Sequence, residues 1–103
     1  VEAEKLKVIA EGMHPQDYIS VRIVDDRVHI RSELCGSRNA AEWIYNPLTN
    51  NDQMVEIVER LKISIEYQRK DKWLAETQDE LAFGKIINEA VCNAAYEYYK
   101  AVK

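Results

Sequence analysis

Tyr18-Ile19-Ser20-Val21-Arg22-Ile23-Val24-Asp25-Asp26-Arg27-Val28-His29-Ile30-Arg31 is the stretch whose reading decides the fold. Apolar and polar residues alternate with a period of two on both sides of Asp25-Asp26, the mark of two strands that each bury one face. With Asp25-Asp26 as a two-residue turn, Val21 falls opposite Ile30 and Ile23 opposite Val28, so every inward position is apolar in the same register. The turn residues are weaker formers than Asn-Gly or Asp-Gly, which leaves a longer turn open. The opposite face then carries Ser20, Arg22, Val24, Arg27, His29 and Arg31, four of which can be cationic.

Upstream of the hairpin, Ala3, Leu6, Ile9 and Ala10 recur at helical spacing, Gly12 is placed to stop the helix, and His14-Pro15 turns the chain away from it. Downstream, Leu34 to Tyr45 reads as a loop around Gly36, Ser37 and Asn39 followed by a short strand. After Asn46-Pro47, Thr49 or Asn50 can cap a helix that runs to about Leu61, with Asp52 or Gln53 closing the box and Met54, Val55, Val58 and Leu61 as its buried stripe. Ile63, Ile65 and Tyr67 form the inward side of a second hairpin, which turns at Arg69-Lys70-Asp71 and returns through Lys72-Trp73-Leu74-Ala75-Glu76. A last helix spans about Lys85 to Lys100, with Ile87, Val91, Ala94 and Tyr98 inward, widened by Ile86, Ala90 and Ala95. This order predicts an α+β fold in one domain, 1–103: an antiparallel sheet of four to five strands packed by two to three helices, in the manner of an α-β-α sandwich.

Composition bounds what such a domain does. Its 103 residues, 47% hydrophobic and 31% charged, suffice for one core, and three glycines and two prolines leave little room for linkers. A net charge of −4 argues against a surface that coats nucleic acid or an anionic membrane, although a local basic patch remains compatible with it. No apolar run is long enough to span a bilayer, and the amphipathic start of the chain has no signal-peptide core, so a cytoplasmic protein is expected. Cys35 and Cys92 are far apart and outside any CxxC pair, and read as free thiols of a reducing compartment.

Motifs for chemistry are missing from the sequence. His14 and His29 have no cysteine or carboxylate at ligand spacing, so neither a metal nor another cofactor is expected. Cys35 with His29 lacks a group to orient the base, and no phosphate-cradling or nucleophile-elbow string occurs. The turn acids Asp25-Asp26 and Asp79-Glu80 and the helix acids Glu56 and Glu59 read as solvated surface charge. An enzyme is therefore not expected. Arg22, Arg27, His29 and Arg31 form a basic stripe suited to phosphate or to an acidic protein surface, unless Glu33 or Glu42 neutralises it. Trp43, Tyr45, Tyr67, Trp73 and Tyr98 read as core residues, while Tyr96 and Tyr99 flank the buried stripe and are expected to be partly exposed, as suits an interface.

The C-terminal 60 or so residues also carry a set of short motifs. Tyr45-Asn46-Pro47-Leu48-Thr49-Asn50 opens a helix ending Val58-Glu59-Arg60-Leu61, strand Ile63 to Tyr67 and Trp73 follow, and Glu89-Ala90-Val91-Cys92-Asn93-Ala94-Ala95 lies in the last helix. This pattern resembles the phage ABA sandwich domain family and the NinX-like phage proteins. The resemblance implies a phage or prophage gene and a layered α-β-α fold, with no activity or catalytic residue to carry over.

The leading expectation is a small phage accessory factor of the bacterial cytoplasm that binds a host or phage protein, blocking a defence system being one such role, or that associates with itself. Nucleic-acid binding through Arg22, Arg27, His29 and Arg31 is the second reading. A small-ligand binder or enzyme with a pocket from Cys35, His29 and the Trp43 region is the third.

Overall fold

Asp25 and Asp26 both take the left-handed conformation, at φ 52° and 61°, and that pair of angles closes the tight turn between the first two strands. β1 (Ile19–Val24) and β2 (Arg27–Ser32) pair antiparallel with Val21 opposite Ile30 and Ile23 opposite Val28, the register read from the alternation. The computed structural model describes residues 2–33 and 41–101. The expected loop at Gly36, Ser37 and Asn39 and the reading of Cys35 lie outside those residues.

The chain divides into two compact units, residues 1–46 and 47–103. In the first, helix α1 (Glu2–Met13) precedes the hairpin and β3 (Ala41–Tyr45) pairs with β2, giving a three-stranded antiparallel sheet in the order β1-β2-β3. α1 packs on β1 and β2, burying Ala3, Leu6, Ile9 and Ala10 as their spacing predicts, and Met13 as well. Val28 and Ile30 on the central strand are at most 1% exposed; removing a side chain of this size from water stabilises the fold by roughly 1.5–3 kcal/mol. Ile30 lies opposite Trp43 and Val28 opposite Tyr45, so both aromatics share that inner face. The His14 ring meets each of them edge-on with centroids 6.0 Å apart, which gives this histidine a packing role.

In the second unit, α2 (Asn51–Leu61) is capped by Asn50, whose Oδ1 accepts the Gln53 N–H at 3.1 Å. Its C-terminus closes at Lys62 in the left-handed conformation, with the Ile63 N–H donating to the Val58 carbonyl at 3.1 Å. The buried stripe differs from expectation. Ile57 is wholly buried and Val55 is 44% exposed, because Ile57 completes the 54-57-58-61 spacing and Val55 lies off it.

Strands β4 (Ser64–Arg69), β5 (Lys72–Glu76) and β6 (Leu81–Gly84) form a second antiparallel sheet, β4-β5-β6. The α+β class is as predicted, but the strands fall in two three-stranded sheets where one of four to five was expected. β4 is an edge strand exposed along its whole length, so Ile65 and Tyr67, expected inside, are 37% and 57% exposed. The Tyr67 ring rests on Trp73, centroids 5.1 Å apart.

α3 (Ile87–Ala101) packs on β5, β6 and α2 through Ala90, Val91, Ala94 and Ala95, all wholly buried. The small side chains allow close approach, and Gly84 shows how close: a Cβ there would meet the Ala90 nitrogen at 2.4 Å. Asn88 ties the helix start to the Asn-Pro motif, donating to the Pro47 carbonyl at 2.8 Å and to Asn51 Oδ1 at 3.0 Å. The motif residues thus hold α2 and α3 together. Tyr99 is 7% exposed and Ile86, just before the helix, is 52% exposed, reversing the expectation for both. Tyr99 sits four residues beyond Ala95 and eight beyond Val91, which puts it on their face. Cys92 is buried, and no helix among the described residues is long and apolar enough to cross a membrane.

Candidate interaction face

The outer face of β1-β2-β3 holds every hairpin residue that the alternation assigned to it. Ser20 stands beside Arg31 and Glu42, Arg22 beside His29 and Ile44, and Val24 beside Arg27. α1 lies on β1 and β2, whose buried Val28 and Ile30 point to the opposite side, and the Arg22 side chain is 60% exposed. The exposure that a basic stripe requires is therefore present.

Its charge is largely neutralised. Glu42 projects from β3 directly across from Arg31, and its carboxylate gathers three basic groups: Arg22 Nη2 and His29 Nδ1 at 3.3 Å each, and Arg31 Nη1 at 3.8 Å. Arg31 Nε also donates to Glu33 Oε1 at 3.1 Å. Three arginines against these two carboxylates leave a single net positive charge. Arg27 is exposed and has no ion pair among the described residues. Exposed pairs of this kind contribute about 0–1 kcal/mol each, so the network orients side chains more than it holds the sheet.

Two apolar side chains share the face. Val24 is 39% exposed and Ile44 44% exposed, on the outer strands that flank Arg27 and His29. Guanidinium groups held in place by a carboxylate and flanked by aliphatic surface are the composition of a protein-binding surface. A nucleic-acid surface carries uncompensated cations.

The other sequence-derived candidates do not join this face. Tyr96 and Tyr99 belong to α3 in the second unit, where Lys100 Nζ lies 5.2 Å from the Tyr96 ring centroid and the Tyr99 ring packs on Tyr98 at 5.2 Å. Burial pushes the Tyr99 phenol above its usual value, with Arg60 drawing it down and Tyr98 adding a smaller rise. Tyr99 is therefore a packing residue and not the exposed contact expected of it. His29 faces outward and Trp43 inward, so these two do not line a common pocket, and Cys35 lies outside the described residues. Among the described residues, no three of His, Cys, Asp and Glu gather as metal ligands.

One concentration of cations escaped the sequence reading. Arg69, Lys70 and Lys72 line a cleft with Lys85 in the second unit. Its signal in the sequence is the run Arg69-Lys70-Asp71-Lys72, which by itself reads as a charged turn and the first residue of the returning strand.

A family model described as Bacteriophage P22, NinX matches residues 3–99. The match runs across both units, whereas the motifs that suggested NinX-like proteins lay in the C-terminal part. No curated protein and no solved structure shows significant similarity to the chain.

Proposed function

The chain belongs to the Bacteriophage P22 NinX family, and on that premise we propose that this small phage protein works by binding, without catalysis, to a protein partner through the outer face of β1-β2-β3. The observation that carries the reading is the Glu42 network. One carboxylate holds Arg22, His29 and Arg31 in fixed positions beside exposed Ile44, which presents oriented donors next to apolar surface. The partner offers carboxylates to Arg22 and Arg27 and an aliphatic or aromatic side chain to Ile44 or Val24. It is a host or phage protein met in the bacterial cytoplasm, and interference with a host defence system is a role of this kind.

Capture with tagged protein from nuclease-treated bacterial lysate tests the reading. A specific protein retained after nuclease, and lost when Arg22 and Arg27 are both changed to Glu, is the expected result. Recovery of nuclease-sensitive material alone would overturn it in favour of nucleic acid.

A further inference from the structure

A cleft of about 510 Å³ opens in the second unit where the β4-β5 turn meets the end of β6. Its construction is local. β4 shifts register between Tyr67 and Arg69, and Asp71 reverses the chain at φ 59°, so Arg69, Lys70 and Lys72 cluster around one turn. The close approach of Gly84 to Ala90 brings Lys85 to the same place, where its backbone N–H donates to Glu89 Oε1 at 3.0 Å.

Four cations line the cleft against two carboxylates, Asp71 and Glu89. Among the described residues none of the four is engaged in an ion pair, in contrast to Arg22 and Arg31 on the first sheet. The Lys72 ammonium instead lies 4.5 Å over the ring of Phe83, which also lines the cleft and is 43% exposed. A two-charge excess of cations beside a half-exposed aromatic ring supplies the two groups that a phosphate and a flat base require. The depression is wide open to solvent, so contacts to the phosphates, more than enclosure, carry the binding.

We propose that this cleft binds a nucleotide, with Arg69, Lys70 and Lys85 receiving its phosphates and Phe83 its base. The site is built from second-unit residues alone, shares none with the outer face of β1-β2-β3 and takes a different class of ligand.

Amide-resolved NMR titration at low salt tests it, with ATP, inorganic pyrophosphate, adenosine and a short single-stranded DNA as probes. ATP is expected to shift residues 69–72 and 83–85, pyrophosphate to bind the same residues more weakly, and adenosine to leave them unmoved. Arg69→Ala with Lys70→Ala, both at exposed positions, should leave the circular dichroism unchanged and weaken ATP by about tenfold or more. That variant should also retain the partner captured through the first sheet. No shift at millimolar ATP would overturn the assignment, as would equal affinity for pyrophosphate, shifts with the oligonucleotide alone, or undiminished ATP binding by the variant.

Discussion

Arg22 on β1 reaches across β2 to Glu42 on β3, with Nη2 and Oε1 3.3 Å apart. This contact spans the whole sheet, and Glu42 meets Arg22, His29 and Arg31 together while Glu33 adds a second carboxylate at Arg31. Glu42→Gln should therefore cost less than about 1 kcal/mol in urea unfolding, since its pairs are exposed. The same change should raise retention of the protein on DNA at low salt, an effect that vanishes as salt rises. Unchanged retention would show that the carboxylate does not mask the arginines.

Gly84 lies where a Cβ would be 2.4 Å from the backbone nitrogen of Ala90. Neither backbone can yield without moving α3 from β6. Gly84→Ala should destabilise the fold by roughly 1–3 kcal/mol in chemical denaturation, as overpacking does. A neutral result would mean that α3 shifts freely on its sheet.

The Asn50 side chain satisfies the Gln53 N–H at the start of α2. Asn50→Ala should lower stability by about 1 kcal/mol, while Asn50→Asp should retain most of it. Thermal unfolding of the two variants side by side checks the assignment of Asn50, and not Thr49, as the cap.

Burial holds the Tyr99 phenol above its usual 10.0. Because the folded value is raised, the protonated phenol contributes stability that is fully present below about pH 10 and is lost as pH rises through the folded value. Ultraviolet titration should contain a late-ionising component that Tyr99→Phe removes. Its persistence in that variant would place the late phenol elsewhere.

The parts of the fold that sequence made legible are those in which burial and local pattern agree. The first hairpin is the clearest case, since its alternation, turn and outer face all follow from one register. β6 was hidden because its alternation is inverted: Leu81 and Phe83 point outward while Ala82 and Gly84, kept small by α3, point inward. β4 is exposed on both faces, so the alternation of Ile65 and Tyr67 carries no information about which side is buried. The site was half legible. Arg22, Arg27, His29 and Arg31 fall on the one face that the alternation assigns them, and Glu33 and Glu42, the two acids named as able to neutralise them, do pair there. That Glu42 gathers three groups at once depends on the pairing of β3, which the short stretch Ala41–Tyr45 does not specify. Ile44 gave no signal at all, because an apolar residue in a strand reads as core.

The most direct test of the account compares capture of the protein partner by wild type, Ile44→Glu and Leu81→Glu, the last an exposed apolar position on the second sheet. The account predicts that Ile44→Glu loses the partner while Leu81→Glu keeps it. Capture undiminished by Ile44→Glu, or lost only with Leu81→Glu, would contradict it and move the interface off the outer face of β1-β2-β3.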